Sequence, residues 1–465
     1  MEKSNGKSPR GILVVDVGYT NSKAVLFDAD LKLVAERKLA SQHVEGKTYK
    51  EIDPAPFEAF LKGALPELDA LLPVDCIVPC AHGAAQALLR DDHTLAFPVM
   101  DYMSAPPADV VADYRSVQPP FSEVYCPLLP VALTNALQLF WMQRIDPTAF
   151  ASATTFVPWA EYWGLVLSGV AACEISSMGC QTQLVDVNTG DASSLAKSQG
   201  WDRLYAPHRK AWDVLGPCLP QFGLGRPVPV LAGIHDSNAN YLRYLAAGLS
   251  DFTLLSTGTW SICFNSAADI AKLVPEKDTN TNTDVFGRPV GCSRFFAGKE
   301  LELVSQGAAA SAASMAVVQS LVTRGSYALP SFSDSGGPVV GTGLKGRFAG
   351  PASAGDDEKA SLAILYCALM VSCQLDAAQS QNQIIVDGPF SQNPIFLRLL
   401  AQLRPGQAVS ASTEHNGTAT GAACLALMPN GALPLRPIVM EQAKPAGLVG
   451  LEQYQKAWLN QIATG

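Results

Sequence analysis

Residues 11–23 read GILVVDVGYTNSK, a run of apolar and β-branched residues that leads into a turn centred on glycine. The run predicts a buried strand, and the segments AVLFDAD and LKLVAERKLA that follow complete a meander of three strands. Apolar residues at helical spacing predict a helix over Pro54–Leu72, and a further strand is predicted over Cys76–Pro79. This mixture of strands and helices predicts an α/β fold.

The opening pattern occurs a second time, later in the chain. Residues 251–265 read DFTLLSTGTWSICFN, which is again an apolar strand, a glycine-centred turn and another strand. Gly258 of this copy lies 240 positions after Gly18 of the first. The repeat is weak in sequence, but it predicts a duplicated α/β unit. We therefore expect two domains, at residues 1–248 and 249–465.

Composition and charge limit the classes of partner. The chain has 465 residues, of which 48% are hydrophobic and 16% charged, enough apolar material for more than one core. Lys+Arg number 33 and Asp+Glu 42, so the net charge is −9, which argues against nucleic-acid binding. A small anionic ligand stays compatible with this charge, because backbone N–H groups and helix ends bind such ligands.

The cysteines and the apolar segments predict a location. The 11 cysteines stand among apolar neighbours without a zinc-type pairing, which predicts free buried thiols in a reducing compartment. The start, MEKSNGKSPR, is polar and lacks the pattern of a signal peptide. No apolar stretch is expected to reach the length of about 18 residues that a membrane span requires. We therefore expect a cytoplasmic protein without a membrane partner, and a homodimer stays open.

The first turn, DVGYTNSK, carries side chains suited to phosphate chemistry. A glycine in a turn lets backbone N–H groups converge on an anion. Asp16 can hold hydrated Mg²⁺, the hydroxyl of Thr20 can donate to a phosphate, and Lys23 can neutralise charge, as phosphoryl transfer requires. A plain hairpin with a structural aspartate explains this turn alone equally well.

The second turn, STGTW at residues 256–260, repeats the design with hydroxyls in place of the carboxylate. Either turn alone fits an ordinary β-turn, but the pair predicts a grip on the phosphates of a nucleotide. Between the two turns, residues 231–239 read LAGIHDSNA, which places His235 and Asp236 where a strand ends and a helix starts. Two interpretations of Asp236 stay open, a helix N-cap and a general base that takes a proton from a sugar hydroxyl.

In their order along the chain, these three motifs resemble those of the FGGY carbohydrate kinases. The resemblance runs roughly from Gly11 to Leu427, and residues 233–236 and 255–261 look most like rhamnulose kinase and its L-fuculose kinase relatives. The resemblance implies two ribonuclease-H-like domains of the actin/hexokinase type around a central cleft. Sugar would bind to the first domain and ATP largely to the second.

The resemblance also implies a role for each matching residue. Asp16 would lie near Mg²⁺ and Asp236 would be the general base. Contacts to the cofactor ATP are implied for Thr20, Lys23, Gly258, Thr259, Gly388 and Asn393. Places that line the sugar pocket in relatives are held by His82, Gly83, Asp101, Tyr102, Glu161 and His235. The chain departs from the family pattern at Tyr19, Gln181 and Pro389.

The implied activity is the ATP- and Mg²⁺-dependent phosphorylation of a small sugar by in-line transfer. The sugar is expected to be a ketose or deoxyketose such as L-rhamnulose or L-fuculose. A kinase of the same fold for xylulose, ribulose or a polyol is the alternative within enzymes, and a non-catalytic sugar or nucleotide sensor is the alternative outside them.

Overall fold

The computed structural model describes residues 10–334, 337–412 and 416–464, and it contains two compact units. The first unit comprises the chain up to Gly248 together with Thr281–Pro289 and Asn416–Pro437. The second comprises Leu249–Asn280, Val290–His415 and Ile438–Gly465. The sequence-based division placed residues 281–289 and 416–437 with the second half, whereas their contacts group them with the first. The polar amino-terminal stretch on which the signal-peptide expectation depends lies, up to residue 9, outside the described residues.

The elements of the first unit occupy most of the first 248 residues. Its strands are β1 (Gly11–Val17), β2 (Asn21–Asp28), β3 (Leu33–Ala40), β4 (His43–Glu45), β5 (Lys50–Ile52), β6 (Val74–Ala81), β7 (Gln86–Leu89), β8 (Val99–Met100), β9 (Thr155–Pro158), β10 (Val214–Pro217), β11 (Pro229–Leu231) and β12 (Ile234–His235). Its helices are α1 (Ala55–Leu71), α2 (Ala108–Val117), α3 (Phe121–Val124), α4 (Asn135–Ile145), α5 (Pro147–Ala151), α6 (Trp159–Ser168), α7 (Ile175–Met178), α8 (Ser194–Gln199), α9 (Asp236–Ala246) and, much later in the chain, α14 (Gly417–Cys424).

The elements of the second unit follow. Its strands are β13 (Phe252–Thr257), β14 (Ser261–Asn265), β16 (Pro289–Phe295), β17 (Tyr327–Leu329), β18 (Arg347–Ala349), β19 (Gln383–Asp387), β20 (Val409–Ser412) and β21 (Met440–Gln442), while β15 (Thr279–Thr283) runs across the boundary. Its helices are α10 (Ala297–Ser305), α11 (Met315–Arg324), α12 (Asp356–Ala377), α13 (Pro394–Leu403) and α15 (Leu451–Ala463).

The main sheet of the first unit confirms the predicted meander. Its strands lie in the order β10-β11-β6-β1-β2-β3, and β12 pairs with β6 off this path. Strands β1, β2 and β3 pair antiparallel, whereas β6 runs parallel to β1 and to β11. In this register Asp16 lies between Lys23 on β2 and Cys80 on β6. The pairing therefore brings a carboxylate and an ammonium group together at the end of β1.

The main sheet of the second unit repeats the arrangement of the meander and the two parallel strands beside it. Its strands lie in the order β15-β16-β14-β13-β19-β20-β21. Strand β14 pairs antiparallel with β13 and β16, and β19 runs parallel to β13 and β20. Each unit therefore has a meander followed by two parallel strands. The weak repeat in the sequence is confirmed as a repeat of structure.

Helices α9 and α14 pack against each other within the first unit. Their contact belongs to one cluster of buried side chains in which small residues are frequent, among them Ala239 of α9 and Ala419, Ala422 and Ala423 of α14. Small side chains let two helices approach closely, and each buried methyl group adds to the hydrophobic stabilisation. The helix that begins with Asp236 is thus held by a segment near the other end of the chain.

Helix α12 corrects one expectation from the sequence. Within the described part of the chain, α12 is a helix whose length and apolar composition would be sufficient to cross a membrane. Of its most apolar 18 residues, 83% are buried, and the first turn of the helix carries Asp356, Asp357 and Glu358. The expectation that no stretch has the required length is therefore wrong, but the burial is typical of the core helix of a globular unit.

The cysteines are as predicted. All eleven are free, ten of them are buried and Cys373 is partly buried. Burial raises the pKa of the Cys76 thiol to about 12, because the thiolate would lose its hydration. Such thiols behave as small hydrophobic side chains rather than as nucleophiles.

Candidate active site

Two carboxylates of the first unit lie near each other, one on β1 and one at the start of α9. Burial is the main cause that raises the pKa of Asp16 to about 7, and the negative charge of Asp236 adds to it. Lys23 opposes this rise with its positive charge. Its ammonium nitrogen also lies 3.7 Å from an oxygen of Glu36 on β3. The pair of carboxylates is therefore a place where an added cation would be stabilised.

Asp236 is the first residue of α9, and the residue in the N-cap position is His235. Oxygen Oδ1 of Asp236 accepts hydrogen bonds from the backbone N–H and the hydroxyl of Ser237, and it lies 3.2 Å from Nε2 of His235. An N-cap side chain would accept from a backbone N–H two or three residues further on, so these contacts do not favour the N-cap interpretation. The side chain stays 30% exposed. Such a carboxylate is fixed through one oxygen and reachable by a ligand.

The turn after β1 shows where two other predicted residues lie. Thr20 is exposed, and its carbonyl oxygen accepts from the N–H of Ser41. The hydroxyl of Ser41 in turn donates to the carbonyl oxygen of Gly18 at 2.8 Å. Two bonds from one serine thus hold the turn, and the Thr20 hydroxyl stands at the surface of the first unit.

Asp101 is buried and its oxygens are engaged by the protein itself. Oδ1 accepts from the N–H of Met103 at 2.8 Å, and Oδ2 accepts from the hydroxyl of Tyr19 at 3.2 Å. Oδ2 also lies 2.8 Å from Nδ1 of His43. The predicted contact of Asp101 with sugar stays a prediction, and the described contacts show a carboxylate that orients a tyrosine and a histidine.

Aromatic rings gather around this carboxylate. The ring of Tyr19 lies 4.6 Å from that of Tyr102 and 4.4 Å from that of His43, measured between centroids. His82 contacts both tyrosines edge-on, and Trp159 lies 6.5 Å from it. Tyr102 and His82, both predicted to line a sugar pocket, are therefore brought together in the first unit.

Two neighbouring cavities open beside these rings. The larger encloses about 350 Å³ of space, part of it open to solvent, and its lining includes Gly18, Tyr19, His43, His82 and Trp159. The smaller encloses about 210 Å³, and its lining includes His82, Gly83, Asn135, Trp159, Ser177 and His235. The two cavities have His82 and Trp159 in common, and His235, next to the start of α9, lines the smaller one. Rings with a few placed polar groups are typical of sites for small polar ligands.

Glu161 lies close to the smaller cavity but contributes no lining atom to it. The side chain is buried on α6, and its Oε1 accepts from the hydroxyl of Ser177, a lining residue, at 3.0 Å. Burial, with the charge of Glu174 in second place, raises the pKa of Glu161 well above its usual range. This environment favours the neutral carboxylic acid form of Glu161, which positions the hydroxyl of Ser177.

Glu174 caps the short helix α7. Its Oε2 accepts from the backbone N–H groups of Ser176 and Ser177 and from the hydroxyl of Ser176. Burial raises its pKa to about 8, although these hydrogen bonds act in the opposite direction. The hydroxyl of Ser176 also accepts from the backbone N–H of His235. The cap thus connects a buried acid to the segment that carries Asp236.

The raised pKa of Glu174 predicts how stability depends on pH. Because its pKa rises from 4.5 to about 8 on folding, the native state binds the proton more tightly than the unfolded state. The contribution of Glu174 to the free energy of unfolding is then largest below pH 4.5 and is lost as the pH rises toward about 8, by roughly 1.4 kcal/mol per pH unit in that range. Urea unfolding of Glu174→Gln from pH 5 to 9 is expected to show a clearly flatter dependence.

The control for this measurement is Glu45→Gln, since the side chain of Glu45 is 81% exposed. That variant is expected to keep the pH dependence of the wild type. An unchanged slope in Glu174→Gln would contradict the assignment of a buried neutral acid.

In the second unit, the turn between β13 and β14 is open at its glycine. A methyl group added to Gly258 would meet only the carbonyl oxygen of Trp260, at 3.9 Å. Thr259 is exposed, and its carbonyl oxygen accepts from the N–H of Gly298 at 3.0 Å. The ring of Trp260 stacks on Phe296 with centroids 4.3 Å apart. The turn is therefore anchored on one side and accessible at Gly258 and Thr259.

Gly388 and Asn393 follow β19 in the same unit. Gly388 has a φ of 82° and follows Asp387, whose Oδ1 accepts from its N–H at 2.8 Å. The side-chain oxygen of Asn393 accepts from the backbone N–H groups of Ile395 and Phe396, which makes it the N-cap of α13. Asn393 thus has a structural use, and its role in nucleotide binding stays a prediction.

Four residues near the site were not predicted from the sequence as functional. They are His43, Trp159, Ser177 and Asn238. Asn238 could have been found from the sequence, because it is a polar residue three positions after His235 on the first turn of the predicted helix. His43 lies on the short strand β4, and only the tertiary structure brings it to Asp101.

Comparisons with known proteins agree with this structure. A family model described as carbohydrate kinase FGGY, C-terminal domain, matches residues 249–434. The solved structure of a carbohydrate kinase from Novosphingobium aromaticivorans is 34% identical, with a TM-score of 0.88, and the match covers 99% of this chain and 100% of that one. No curated protein sequence is matched by the chain.

More distant solved structures show the same fold. A xylulose kinase from Rhodospirillum rubrum is 18% identical, with a TM-score of 0.79, and the match covers 98% of each chain. A gluconate kinase from Lactobacillus acidophilus is 15% identical, with a TM-score of 0.82 and 98% of each chain covered. The predicted class, α/β with two sheet-containing domains of the actin/hexokinase type, is confirmed. Since the Novosphingobium relative is similar over its whole length, the chain belongs to the FGGY carbohydrate kinases and is a carbohydrate kinase.

Proposed function

We propose that this kinase transfers the terminal phosphoryl group of ATP to a hydroxyl of a small neutral ketose, with Asp236 as the general base. The observation that carries the proposal is the partly exposed carboxylate of Asp236 at the first position of α9, next to a second carboxylate, Asp16. Phosphoryl transfer needs little covalent assistance from the protein. A fixed carboxylate that accepts the hydroxyl proton is sufficient.

Asp16 is the residue we assign to Mg²⁺. Its neighbouring carboxylate opposes its ionisation, and a divalent cation would remove this penalty. No cluster of three or more His, Cys, Asp and Glu side chains able to hold a metal occurs among the described residues. This fits Mg²⁺, which commonly uses one or two carboxylates and takes its other ligands from water and substrate phosphates. When bound, Mg²⁺ supplies positive charge to the phosphate oxygens.

Thr20 and Lys23 of the first unit, and Gly258 and Thr259 of the second, are proposed as contacts for phosphate. The hydroxyl of Thr20 and the open face of Gly258 support this, because both are accessible within their own units. Gly388 and Asn393 are proposed to lie near the adenosine portion of ATP, by resemblance to the family.

The sugar is proposed to be neutral. None of the described residues that line the two cavities is a lysine or an arginine, and Glu161 and Glu174 are buried close by. An anionic sugar such as an aldonate would lose hydration there without gaining a cationic partner. L-Rhamnulose and L-fuculose are the candidates suggested by residues 233–236 and 255–261, and xylulose, ribulose and a polyol are the alternatives.

A substrate panel tests the function. Release of ADP is measured with L-rhamnulose, L-fuculose, xylulose, ribulose, glycerol and gluconate at equal ATP and Mg²⁺. We expect at least one neutral ketose to exceed gluconate at least about tenfold in kcat/KM, because polar pockets discriminate strongly against an unpaired charge. Gluconate as the best substrate would contradict the neutral-sugar proposal.

Gly258→Val tests the nucleotide contact. The added Cβ meets only a carbonyl oxygen at 3.9 Å within the second unit, so the midpoint of thermal unfolding is expected to stay close to that of the wild type. It would occupy the space proposed for phosphate, at a cost of about 1–3 kcal/mol, which weakens nucleotide binding by about fivefold to about 150-fold. Isothermal titration with ATP and Mg²⁺ in the absence of sugar measures this.

A matched control is Gly406→Val, another position in the second unit where an added methyl group meets nothing within 4 Å. Its nucleotide affinity is expected to equal that of the wild type. Equal affinity in Gly258→Val would remove this turn from the nucleotide site.

A further inference from the structure

His235 stands between Asp236 and a second polar side chain, Asn238. Its Nε2 lies 3.2 Å from Oδ1 of Asp236, and its Nδ1 lies 3.1 Å from the amide nitrogen of Asn238. Burial lowers the pKa of His235, against the effect of the Asp236 charge, so the ring is favoured in its neutral form. A neutral imidazole carries one proton, and its neighbours decide which nitrogen holds it.

The orientation of the Asn238 amide follows from its other neighbours. Its nitrogen lies 3.2 Å from the carbonyl oxygen of Ser176, a group that can only accept a hydrogen bond. The amide nitrogen, not the amide oxygen, must therefore face this carbonyl. An amide nitrogen has two protons. The second is directed to His235, with Oδ1 of Asn282 at 3.3 Å as a further acceptor.

We propose that Asn238 is a positioning residue that fixes His235 as the tautomer with its proton on Nε2. Nδ1 then accepts from Asn238, and the proton on Nε2 lies on the side of Asp236, whose Oδ1 is 3.2 Å from that nitrogen. The Nε2 proton stabilises the negative charge on Oδ1 of Asp236 electrostatically, while the bonds from Ser237 hold that oxygen in place and leave the other oxygen for the substrate hydroxyl. The effect of this tautomer on catalysis rests on the proposed role of Asp236 as the base. The assignment of the tautomer is independent of that role.

The surroundings of the ring support a single orientation. Asn238 is only 1% exposed, and the backbone N–H of His235 donates to the hydroxyl of Ser176 at 3.4 Å. A methyl group added to Gly83 would lie 2.8 Å from Nε2 of His235, so the chain passes close to the ring on this side. Packing therefore leaves the ring little freedom to turn over and exchange its two nitrogens.

His82 provides an internal reference for the opposite tautomer. Its Nδ1 lies 2.7 Å from the carbonyl oxygen of Gly83, which can only accept. Nδ1 of His82 is therefore expected to carry the proton. Burial lowers the pKa of His82 as well, so both rings are neutral near pH 7.5.

The test is nitrogen NMR of the full chain labelled with ¹⁵N-histidine at pH 7.5. The chain has 6 histidines, and His235→Gln assigns the signals of His235. We expect the Nε2-protonated pattern for His235 and the Nδ1-protonated pattern for His82.

Asn238→Leu is expected to convert the His235 pattern into a mixture of tautomers and to lower kcat about tenfold, the effect of losing one orienting hydrogen bond. KM for ATP should stay within about twofold, since uniform binding is untouched.

Asn240→Leu is the matched control, because Asn240 is also buried on α9, at 5% exposure, and approaches Gly417 instead of His235. It is expected to leave the tautomer and kcat unchanged, whatever its effect on stability. Asn238→Asp serves if the leucine variant does not fold. Its carboxylate accepts from Nδ1 and is expected to draw the proton of His235 to that nitrogen.

Protonation of wild-type His235 on Nδ1, or an unchanged tautomer in both Asn238 variants, would overturn the inference. An equal loss of kcat in Asn240→Leu would also overturn the positioning role. If Asp236→Asn keeps full turnover while Asn238→Leu shows the expected tautomer shift, only the assignment of Asp236 as the base is overturned. Failure of the base assignment can therefore be distinguished from failure of the tautomer assignment.

Discussion

Asp236→Asn is expected to lower kcat at least about a hundredfold, because an amide cannot accept the proton of the sugar hydroxyl. The substitution keeps the size of the side chain and its contacts with Ser237 and His235. ATP binding, measured by titration without sugar, should persist. The comparison of kcat with nucleotide affinity therefore separates loss of the base from loss of the site.

A matched control is Asp356→Asn. Asp356 occupies the same first helical position in α12 that Asp236 occupies in α9, and it is exposed. Both substitutions remove a negative charge from a helix N-terminus, which changes helix stability only slightly. Turnover of Asp356→Asn is expected to match that of the wild type. Near-normal turnover in Asp236→Asn would exclude the carboxylate as the base.

Gly388→Ala is expected to destabilise the second unit by several kcal/mol. Gly388 has a φ of 82°, and an added methyl group would lie 1.9 Å from the carbonyl oxygen of Thr257. Two backbone segments, the ends of β13 and β19, would have to separate at the point where the Thr257 hydroxyl donates to the carbonyl of Asp387. Backbone displacement and a left-handed conformation both add to the cost. Denaturant unfolding measures the loss of stability, and nucleotide affinity is expected to fall with it.

Gly341→Ala isolates the conformational part of this cost. Gly341 lies in the same unit with a φ of 73°, and an added methyl group there meets nothing within 4 Å. The free energy of unfolding of Gly341→Ala is expected to fall by only about 1 kcal/mol, because alanine disfavours the left-handed backbone conformation. Similar losses in the two variants would contradict the importance of the contact between Gly388 and Thr257.

The parts of the site that were predictable are those with a local signal. The strand before Asp16 and the helix after Asp236 are visible in hydrophobic spacing, because burial of one face imposes that spacing. The glycine turns were visible because Gly18 and Gly258 follow apolar strands in both copies of the repeat. Local rules of strand, turn and helix therefore sufficed for the fold class and for the position of the candidate base.

The rest depends on contacts between residues far apart in sequence. Asp101 and His43 are in contact although 58 positions separate them in the sequence. No local sequence pattern around either residue predicts this contact. The return of residues 416–437 to the first unit is likewise set by the packing of α14 on α9, which no periodicity within either helix specifies. The use of Asn393 as a helix cap became visible only with the backbone of α13 in place.

The packing of α14 on α9 has a consequence for biosynthesis. Translation delivers α9 at residues 236–246 but delivers its companion only at residues 417–424, after most of the polypeptide has left the ribosome. Until then the apolar side of α9 has no cover from α14, and the carboxylate that it carries lacks its final support. Catalytic competence should therefore arise late during synthesis, and a nascent chain halted before residue 417 should be a client for chaperones rather than a working enzyme.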